Sequence, residues 1–407
     1  MKPFYFLIAW RNLWRNKKRT AIAVASITFA VFFACLMRSS QEGGYSRMID
    51  NVAGIYSGYL RISETGYSDS PSFEKTISAE DSYLEKIKSV NGVTGVFPRI
   101  ESSVLLSHDE RTKGVLLMGI DPEAENQNNR LSGLMVAGTY LSNNSKGILL
   151  GKGVSEYLKV SVGDSVIVFG QDRYGSTAAS VYPVMGIIKL ASPYIDDRLI
   201  YVPLKQAQLL FDCAERVSTI AVMISDPKSV NEIRTELQSL AGDKIEVKRW
   251  NDLFPDMEQA ITLDKVTGLI MIGILYAVIG FGIFGTIMMM TIERSREFAM
   301  CIAVGMKRFQ LGITSVYESI MISFLGVITG IIAVFPILLY LHSNPIKFTG
   351  KDAEAYQKFN VEAIIPFSLD ISIFISQAVI IFIMALIIAQ YPLLKISRLN
   401  ILNSLRG

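Results

Sequence analysis

The residues of this chain that could do chemistry are few, and their spacing argues against catalysis. Only two histidines occur, His108 and His342, and apolar runs separate them. A Ser/His/Asp triad or a histidine-rich metal site is therefore not expected. Cys35, Cys213 and Cys301 fall in three different segments, so no intrachain disulfide is expected. Gly147-Ile-Leu-Leu-Gly151-Lys152-Gly153 has the look of a phosphate loop. Three residues rather than four separate its glycines, however, and no Ser or Thr follows Lys152. A strand-end turn is the expected structure there. No nucleic-acid-binding pattern occurs. The expected catalytic, cofactor-binding and metal-ligating sets are empty, and the chain is not expected to be an enzyme.

One cluster does carry a pattern. Glu293-Arg-Ser-Arg-Glu-Phe-Ala-Met-Cys-Ile-Ala-Val-Gly-Met-Lys-Arg-Phe-Gln-Leu311 is charged and helix-prone, with hydrocarbon-length apolar runs on both sides. It is too short to bury a core of its own. The expectation is a cytoplasmic helix on which another protein pushes, ended by Gly305 because glycine tolerates left-handed backbone.

The elements that must position it follow from composition. The chain has 407 residues, 50% hydrophobic and 19% charged, with a mean hydropathy of +0.34, too apolar for an ordinary soluble enzyme. A bilayer core needs about 20 apolar residues in helix. Four stretches qualify: 20–40, 263–292, 311–341 and 364–394. The first carries a basic start, but its apolar stretch is too long for a secretory signal and no small-residue cleavage site follows, so an uncleaved anchor is expected. Lys2, Arg11, Arg15, Lys17, Lys18 and Arg19 precede it with no acid among them. Arg294, Arg296, Lys307 and Arg308 follow the second run, and Lys395, Arg398 and Arg406 follow the fourth. The 342–363 loop instead mixes Lys347, Lys351 and Lys358 with Asp352, Glu354 and Glu362. The positive-inside rule then predicts both termini (1–19 and 395–407) and the 293–310 segment to be cytoplasmic, with the 41–262 and 342–363 segments outside.

Within 1–19, Phe6, Leu7, Trp10, Leu13 and Trp14 recur at helical spacing opposite Arg11, Arg15 and Lys18, which predicts an interfacial amphipathic helix against membrane lipid. Residues 41–262 alternate strand and helix signals. Ser78–Ser89 reads as a helix capped by Ser78, Pro203–Phe211 and Ser229–Ala241 as helices, and Gly58–Ser63, Val104–Leu106, Gly114–Ile120, Ser165–Phe169, Tyr182–Ile188 and Ile220–Ile224 as strands. The expected fold class is a membrane α-helical protein plus α+β: four transmembrane helices with a large mixed α/β extracytoplasmic domain inserted between helices 1 and 2. That domain is expected to be an α/β frame with a strand-rich insert at about 110–215.

The insert resembles the core of FtsX-like permeases of the MacB/LolC/LolE superfamily, whose pattern is roughly E-R-x-x-E-I-x-x-x-x-A-x-G: Glu293-Arg294, Arg296-Glu297, Ala303 and Gly305 stand in order. Ala9-Trp-Arg-Asn-Leu-Trp-Arg-Asn-Lys-Lys-Arg-Thr20 is similar to the first helix of that family. Glu318 followed by Gly326 and Gly330, and the ending Pro392 to Arg406, fit as well, although Ser404 replaces the usual Ala. Met118-Gly-Ile-Asp-Pro122, Gly147–Gly153, Val162-Gly-Asp-Ser-Val166 and Asp196–Leu204 occur in the order seen in lipoprotein-releasing members. MacB-type members carry a fused amino-terminal ATPase and FtsX proper a smaller outer domain, which directs the expectation to the LolC/LolE branch.

The resemblance implies a bacterial inner-membrane permease subunit that borrows energy from a separate dimeric ATPase, which would hold ATP and Mg. Coupling would run through Glu293, Arg294, Glu297, Phe298, Met300, Gly305 and Arg308. Lipoprotein release implies an acyl-chain groove, with Phe29, Phe32, Phe33, Leu36, Ile270, Ile274 and Val278 as candidates, although lipid-facing positions need the same residue types. Glu318, Gly326 and Gly330 are candidates for helix packing; Glu318 contacting substrate stays open, as does bending at Gly280, Gly282 and Gly285. Implied partners are a second permease subunit, identical or homologous, a lipoprotein cargo and a periplasmic carrier, with no nucleic acid. A MacB-type exporter and an FtsX-like signalling permease that activates hydrolases are the alternatives.

Overall fold

The computed structural model describes residues 3–15, 17–190, 192–350 and 363–398. The expectations at Lys2, at 351–362 and at the Leu405-Arg406 ending lie outside the described residues. Two compact units share the chain: 1–46 with 260–347 and 364–407, and 47–259 with 348–363.

In chain order, α1 (Pro3–Arg15) and α2 (Lys17–Val52) come first, with a π-helical turn at Ala53–Ser57. Then follow β1 (Leu60–Glu64), β2 (Ile77–Ser78), α3 (Asp81–Lys88), β3 (Val93–His108), β4 (Arg111–Ile120), α4 (Pro122–Asn129), β5 (Met135–Gly138) and β6 (Ile148–Gly151). Next are α5 (Lys152–Leu158), β7 (Ser165–Gln171), β8 (Thr177–Ile188), α6 (Pro193–Asp196), β9 (Leu199–Pro203), α7 (Leu204–Leu210), β10 (Arg216–Val217) and β11 (Thr219–Ile224). Last come α8 (Val230–Ala241), β12 (Ile245–Arg249), α9 (Trp250–Leu253), α10 (Pro255–Glu293), α11 (Ser295–Ala303), α12 (Arg308–Ser343), β13 (Ile346–Lys347), β14 (Ile364–Ile365), α13 (Ile371–Ile388) and α14 (Gln390–Ser397).

In the helical unit, α2, α10, α12 and the α13–α14 stretch are each long and apolar enough to cross a membrane. Their shared core joins Ala23, Ile27 and Val31 of α2 to Ile283 and Ile287 of α10, Val334 of α12, and Phe374 and Ile381 of α13. Glycine sets the closest approach. A Cβ on Gly326 would lie 2.6 Å from the Ile27 Cβ, and one on Gly330 would lie 2.7 Å from the Val31 Cβ. Thr28 and Thr329 hydroxyls meet at 2.6 Å beside them. Small residues here allow the two backbones to come together, the usual basis of helix association in lipid. Gly280 abuts Met384 at 3.3 Å, whereas Gly282 and Gly285 face open space.

The helices outrun the apolar stretches at several ends. α2 continues to Val52 rather than stopping near residue 40, with Arg38 and Glu42 paired one turn apart at 3.3 Å. Gly43 survives there because the Pro366–Phe367 backbone packs where its Cβ would be. The fourth apolar run starts as a helix at Ile371, not 364. Ile364–Ile365 pair instead with Ile346–Lys347, and Asp370 caps the helix by accepting the Ser372 N–H at 2.9 Å. That run breaks again at Ala389, where Pro392 cannot donate to the carbonyl of Ile388.

The α/β unit is built on one long strand. The first half of β3 pairs with β11 in an antiparallel frame ordered β12-β1-β11-β3, and its second half pairs with β4 and β7. Strands β3, β4, β9, β6, β8 and β7 then close a ring, since β7 bonds both β3 and β8. Alternate residues from all six fill its interior: Val104 and Leu106, Val115 and Leu117, Ile148 and Leu150, Val166 and Val168, Tyr182 and Val184, Ile200 and Val202. This is a six-stranded barrel with a packed core. The strand-rich insert thus draws on residues before 110, because a 16-residue strand serves both frame and barrel.

Ser78 does not cap a helix. Ile77–Ser78 pairs with Arg216–Val217, and α3 begins at Asp81. Where β3 passes from frame to barrel, two ion pairs are buried: Arg99–Glu125 at 2.6 Å and Arg61–Glu101 at 3.3 Å.

Candidate functional site: the segment between the second and third long helices

α10 ends at Glu293, and a single residue, Arg294, separates it from α11. Arg294 has left the helical region only slightly (φ −94°, ψ 3°), which redirects the chain without a loop. At the far end the Gly305 N–H donates to Ile302 and the Met306 N–H to Cys301, both at 3.0 Å. With Gly305 at φ +107°, this six-to-one and five-to-two pair is a Schellman cap, for which glycine is the residue of choice. α12 restarts at Arg308, its first turn closed by Gln310 accepting the Lys307 N–H at 3.2 Å.

The inner face of α11 is anchored by one buried cation. The Arg294 side chain is 9% exposed and its Nη1 lies 2.5 Å from Glu318 Oε2 on α12, itself 7% exposed. Its Nε reaches Glu297 Oε2 at 3.4 Å, and its guanidinium stacks 5.1 Å over the Phe298 ring. A buried acid in an apolar helix needs a cation; Arg294 is that cation. Phe298 packs with Leu311 of α12 and Ile396 of α14, with Ile302 and Met306 at the edge.

Two further bridges reach the amino-terminal helices. Arg15 of α1 donates to Glu297 at 2.7 Å, and Arg19 of α2 pairs with Glu293 at 2.8 Å. One charged chain therefore runs Arg15–Glu297–Arg294–Glu318 across α1, α11 and α12. Beside it lies a cavity of about 30 Å³, lined by Thr286, Thr291, Ser315, Ser319 and Ser323.

Of the coupling candidates, Phe298 and Arg294 face the bundle, because the pair with Glu318 turns this face inward. The outward face carries Met300, Cys301, Val304 (89% exposed) and Phe309 (69% exposed). Arg308 is exposed and donates to the Ser397 carbonyl at 2.8 Å. Sequence reasoning missed Val304 and Phe309, because the apolar run Phe298–Met306 does not itself show which of its members face outward. It also missed Arg15 and Arg19, whose signal was opposite charge on a segment far along the chain.

Of the groove candidates, Phe29, Phe33, Ile270, Ile274 and Val278 face away from the bundle. Phe32 and Leu36 are half-buried against its core. Phe29 and Phe33 stack at 6.4 Å, and Phe32 meets Phe33 edge-on at 5.3 Å.

The outer motifs are structural. Asp121 caps α4 by accepting the Glu123 and Ala124 N–H groups, both at 3.0 Å. At the phosphate-loop look-alike the Lys152 and Gly153 N–H groups donate to Asp196, as does Leu190 at 2.8 Å. The protein thus supplies its own anion there. Burial pushes the Asp196 carboxyl above its ordinary value, against these three donors.

A bundle of four membrane-length helices, joined in the chain to a mixed α/β unit and carrying a clamped amphipathic helix between its second and third members, defines a permease-type membrane protein. The chain belongs to the family of the MacB-like periplasmic core domain, matched over residues 20–240, and its 269–401 segment matches the FtsX-like permease C-terminal family. It is thus an ABC transporter permease of the MacB/FtsX/LolC family.

Similar proteins include the lipoprotein-releasing system transmembrane protein LolC of Neisseria meningitidis, 23% identical over 348 residues and 81% of each chain. The LolE protein of Haemophilus influenzae is 20% identical over 74% of each chain. The macrolide export ATP-binding/permease protein MacB of Wolinella succinogenes is 21% identical over 80% of this chain and 51% of that one. The crystal structure of the MacB periplasmic region from Actinobacillus actinomycetemcomitans covers 52% of this chain and 98% of its own, at 18% identity and a TM-score of 0.35.

Proposed function

We propose that this chain is the permease subunit of an ATP-driven complex that extracts lipoproteins from the bacterial inner membrane and passes them to a periplasmic carrier. The observation that carries the coupling step is the clamped α11. Its outward face at Met300, continued by Val304 just past its end and by Phe309 in the first turn of α12, is exposed for docking on an ATPase. Its inward face is tied to α12 by Arg294–Glu318 and by the Phe298–Leu311–Ile396 cluster. A push from outside on such a helix moves α12 as well, because a buried, paired charge resists separation. ATP and Mg would sit on the partner, whose closure this segment would relay by shifting the permease between two conformations.

The lipoprotein cargo rests on likeness to LolC and LolE along most of the chain, and on the outward Phe29 and Phe33 as acyl contacts. In this reading both termini and α11 are cytoplasmic and the α/β unit is periplasmic. Likeness to MacB over a similar share of the chain favours one second reading, export of periplasmic substrates.

Photo-crosslinking residues at Val304 and at Phe33, introduced in the native host cells, test both steps. An ATPase adduct from Val304 and a lipid-modified protein from Phe33 are expected. Lack of any ATPase adduct from Val304 or Met300 sinks the coupling role. Adducts of unlipidated periplasmic proteins alone at Phe33 would favour the exporter.

A further inference from the structure

At 3.6 residues per turn, α1 divides into three adjoining sectors. Ala9 and Leu13 are buried in the core of the helical unit. The next sector carries Phe6, Leu7, Trp10 and Trp14, all exposed, with Trp14 at 58%. Its rings form an edge-on pair, Trp10 and Trp14, at 5.9 Å. The third sector holds Arg11 and Arg15, both exposed, and Lys17 and Lys18 follow at the start of α2, exposed as well. No acid occurs anywhere in residues 1–19.

We propose that this surface is a binding site for anionic phospholipid headgroups, and that a headgroup phosphate shares Arg15 with Glu297. Three observations commit it to that occupant. One residue separates α1 from α2, whose apolar length enters the bilayer directly, so α1 lies at the membrane surface by chain continuity. An exposed aromatic sector bordered by cations matches the depth profile of an interface, with rings at headgroup level and charge beside phosphate. Residues 1–19 hold no acid, and the exposed Arg11, Lys17 and Lys18 beside the aromatic sector are complementary to a negative surface.

The Arg15 link gives the site a consequence. Its side chain is 57% exposed and gives one of five N–H donors to Glu297. The rest of the fork fits a phosphate, which guanidinium binds with two parallel hydrogen bonds. Headgroup and α11 therefore compete for one cation, and the charge of the leaflet sets how firmly α1 holds α11.

The test uses the full chain in a Trp250→Phe background, leaving Trp10 and Trp14 as its tryptophans, in phosphatidylcholine vesicles. Brominated phosphatidylglycerol and brominated phosphatidylcholine are compared at equal mole fraction as quenchers. Each cation near an anionic surface is worth about fivefold in lipid enrichment, so phosphatidylglycerol is expected to quench more strongly, and less so as salt is added. Replacing Arg11→Gln, Arg15→Gln, Lys17→Gln and Lys18→Gln together should bring the two lipids close to equal quenching while keeping the quenching itself, which also shows that the variant still sits in the membrane. Glu297→Gln should raise the phosphatidylglycerol preference by releasing Arg15. Equal quenching in the parent, no quenching by either lipid, or a full preference that survives the fourfold variant overturns the site. An unchanged preference in Glu297→Gln overturns the sharing of Arg15. None of these readouts depends on the cargo or on an ATPase.

Discussion

Truncating Glu318 leaves the Arg294 guanidinium buried beneath α11 with its best partner gone. The pair is 2.5 Å long with both side chains under one-tenth exposed, so solvent cannot replace the lost carboxylate. Removing one member of a buried pair costs about 3–5 kcal/mol. The remaining contact to Glu297 is longer, 3.4 Å, and half-solvated, which recovers little. Glu318→Ala is therefore expected to destabilise by about 3–5 kcal/mol. Glu318→Gln keeps an acceptor and should cost less, about 1.5–3 kcal/mol, the worth of a hydrogen bond to a charged group. Combining Arg294→Met with Glu318→Leu removes both charges and fills the site with apolar volume, so stability should return to the parental value or exceed it. That double variant lacks the tether between α11 and α12, and its stimulation of a partner ATPase by cargo should stay low. Unfolding of the full chain in mixed micelles, followed by far-ultraviolet circular dichroism, gives the stabilities as a double-mutant cycle. If Glu318→Ala falls within about 1 kcal/mol of the parent, or the double variant is no better than the single, the buried-clamp argument is wrong.

Gly326→Val would place its Cβ 2.6 Å from that of Ile27, so it should destabilise the helical unit by about 1–3 kcal/mol or more. Ile27→Ala in the same chain should recover part of that loss in the same unfolding assay. Gly305→Ala forces a side chain onto φ +107° and should cost about 1–3 kcal/mol, read as lower coupling to ATP hydrolysis with the α/β unit unchanged. Asp196 predicts a pH dependence. Its native pKa lies above the ordinary 3.8, so the folded protein keeps a proton that the unfolded chain has already lost. The resulting stability is present in full below 3.8 and falls away as pH rises through the native value. Asp196→Asn cannot ionise, and thermal unfolding across that window should lose the downward slope.

Much of this was legible along the chain because it rests on local physics. A hydrocarbon-length run needs only composition, and each of the four expected runs overlaps a long helix. The stop at Gly305 needs only a glycine after a helical stretch. Boundaries were less legible. α2 runs to Val52 because helical hydrogen bonding continues past the apolar residues that prompted the assignment. The helix expected at Ser78 starts three residues later because Ile77–Ser78 found a strand partner in Arg216–Val217. Glu318 stood out as an acid among apolar neighbours, but its partner did not.

By itself, the sequence determined the membrane-length helices, the short charged segment between the second and third of them, and the family pattern it carries. Tertiary structure alone decided which face of that segment turns inward. Arg294 reaches Glu318 across 24 positions and Arg15 reaches Glu297 across 282, and no periodicity encodes such pairings. The same holds for β3, whose two halves join a frame and a closed barrel because partners far apart in the chain meet its edges. Local propensity sets what each segment can be. Burial of one surface against another sets what it touches, and only the folded chain brings those surfaces together.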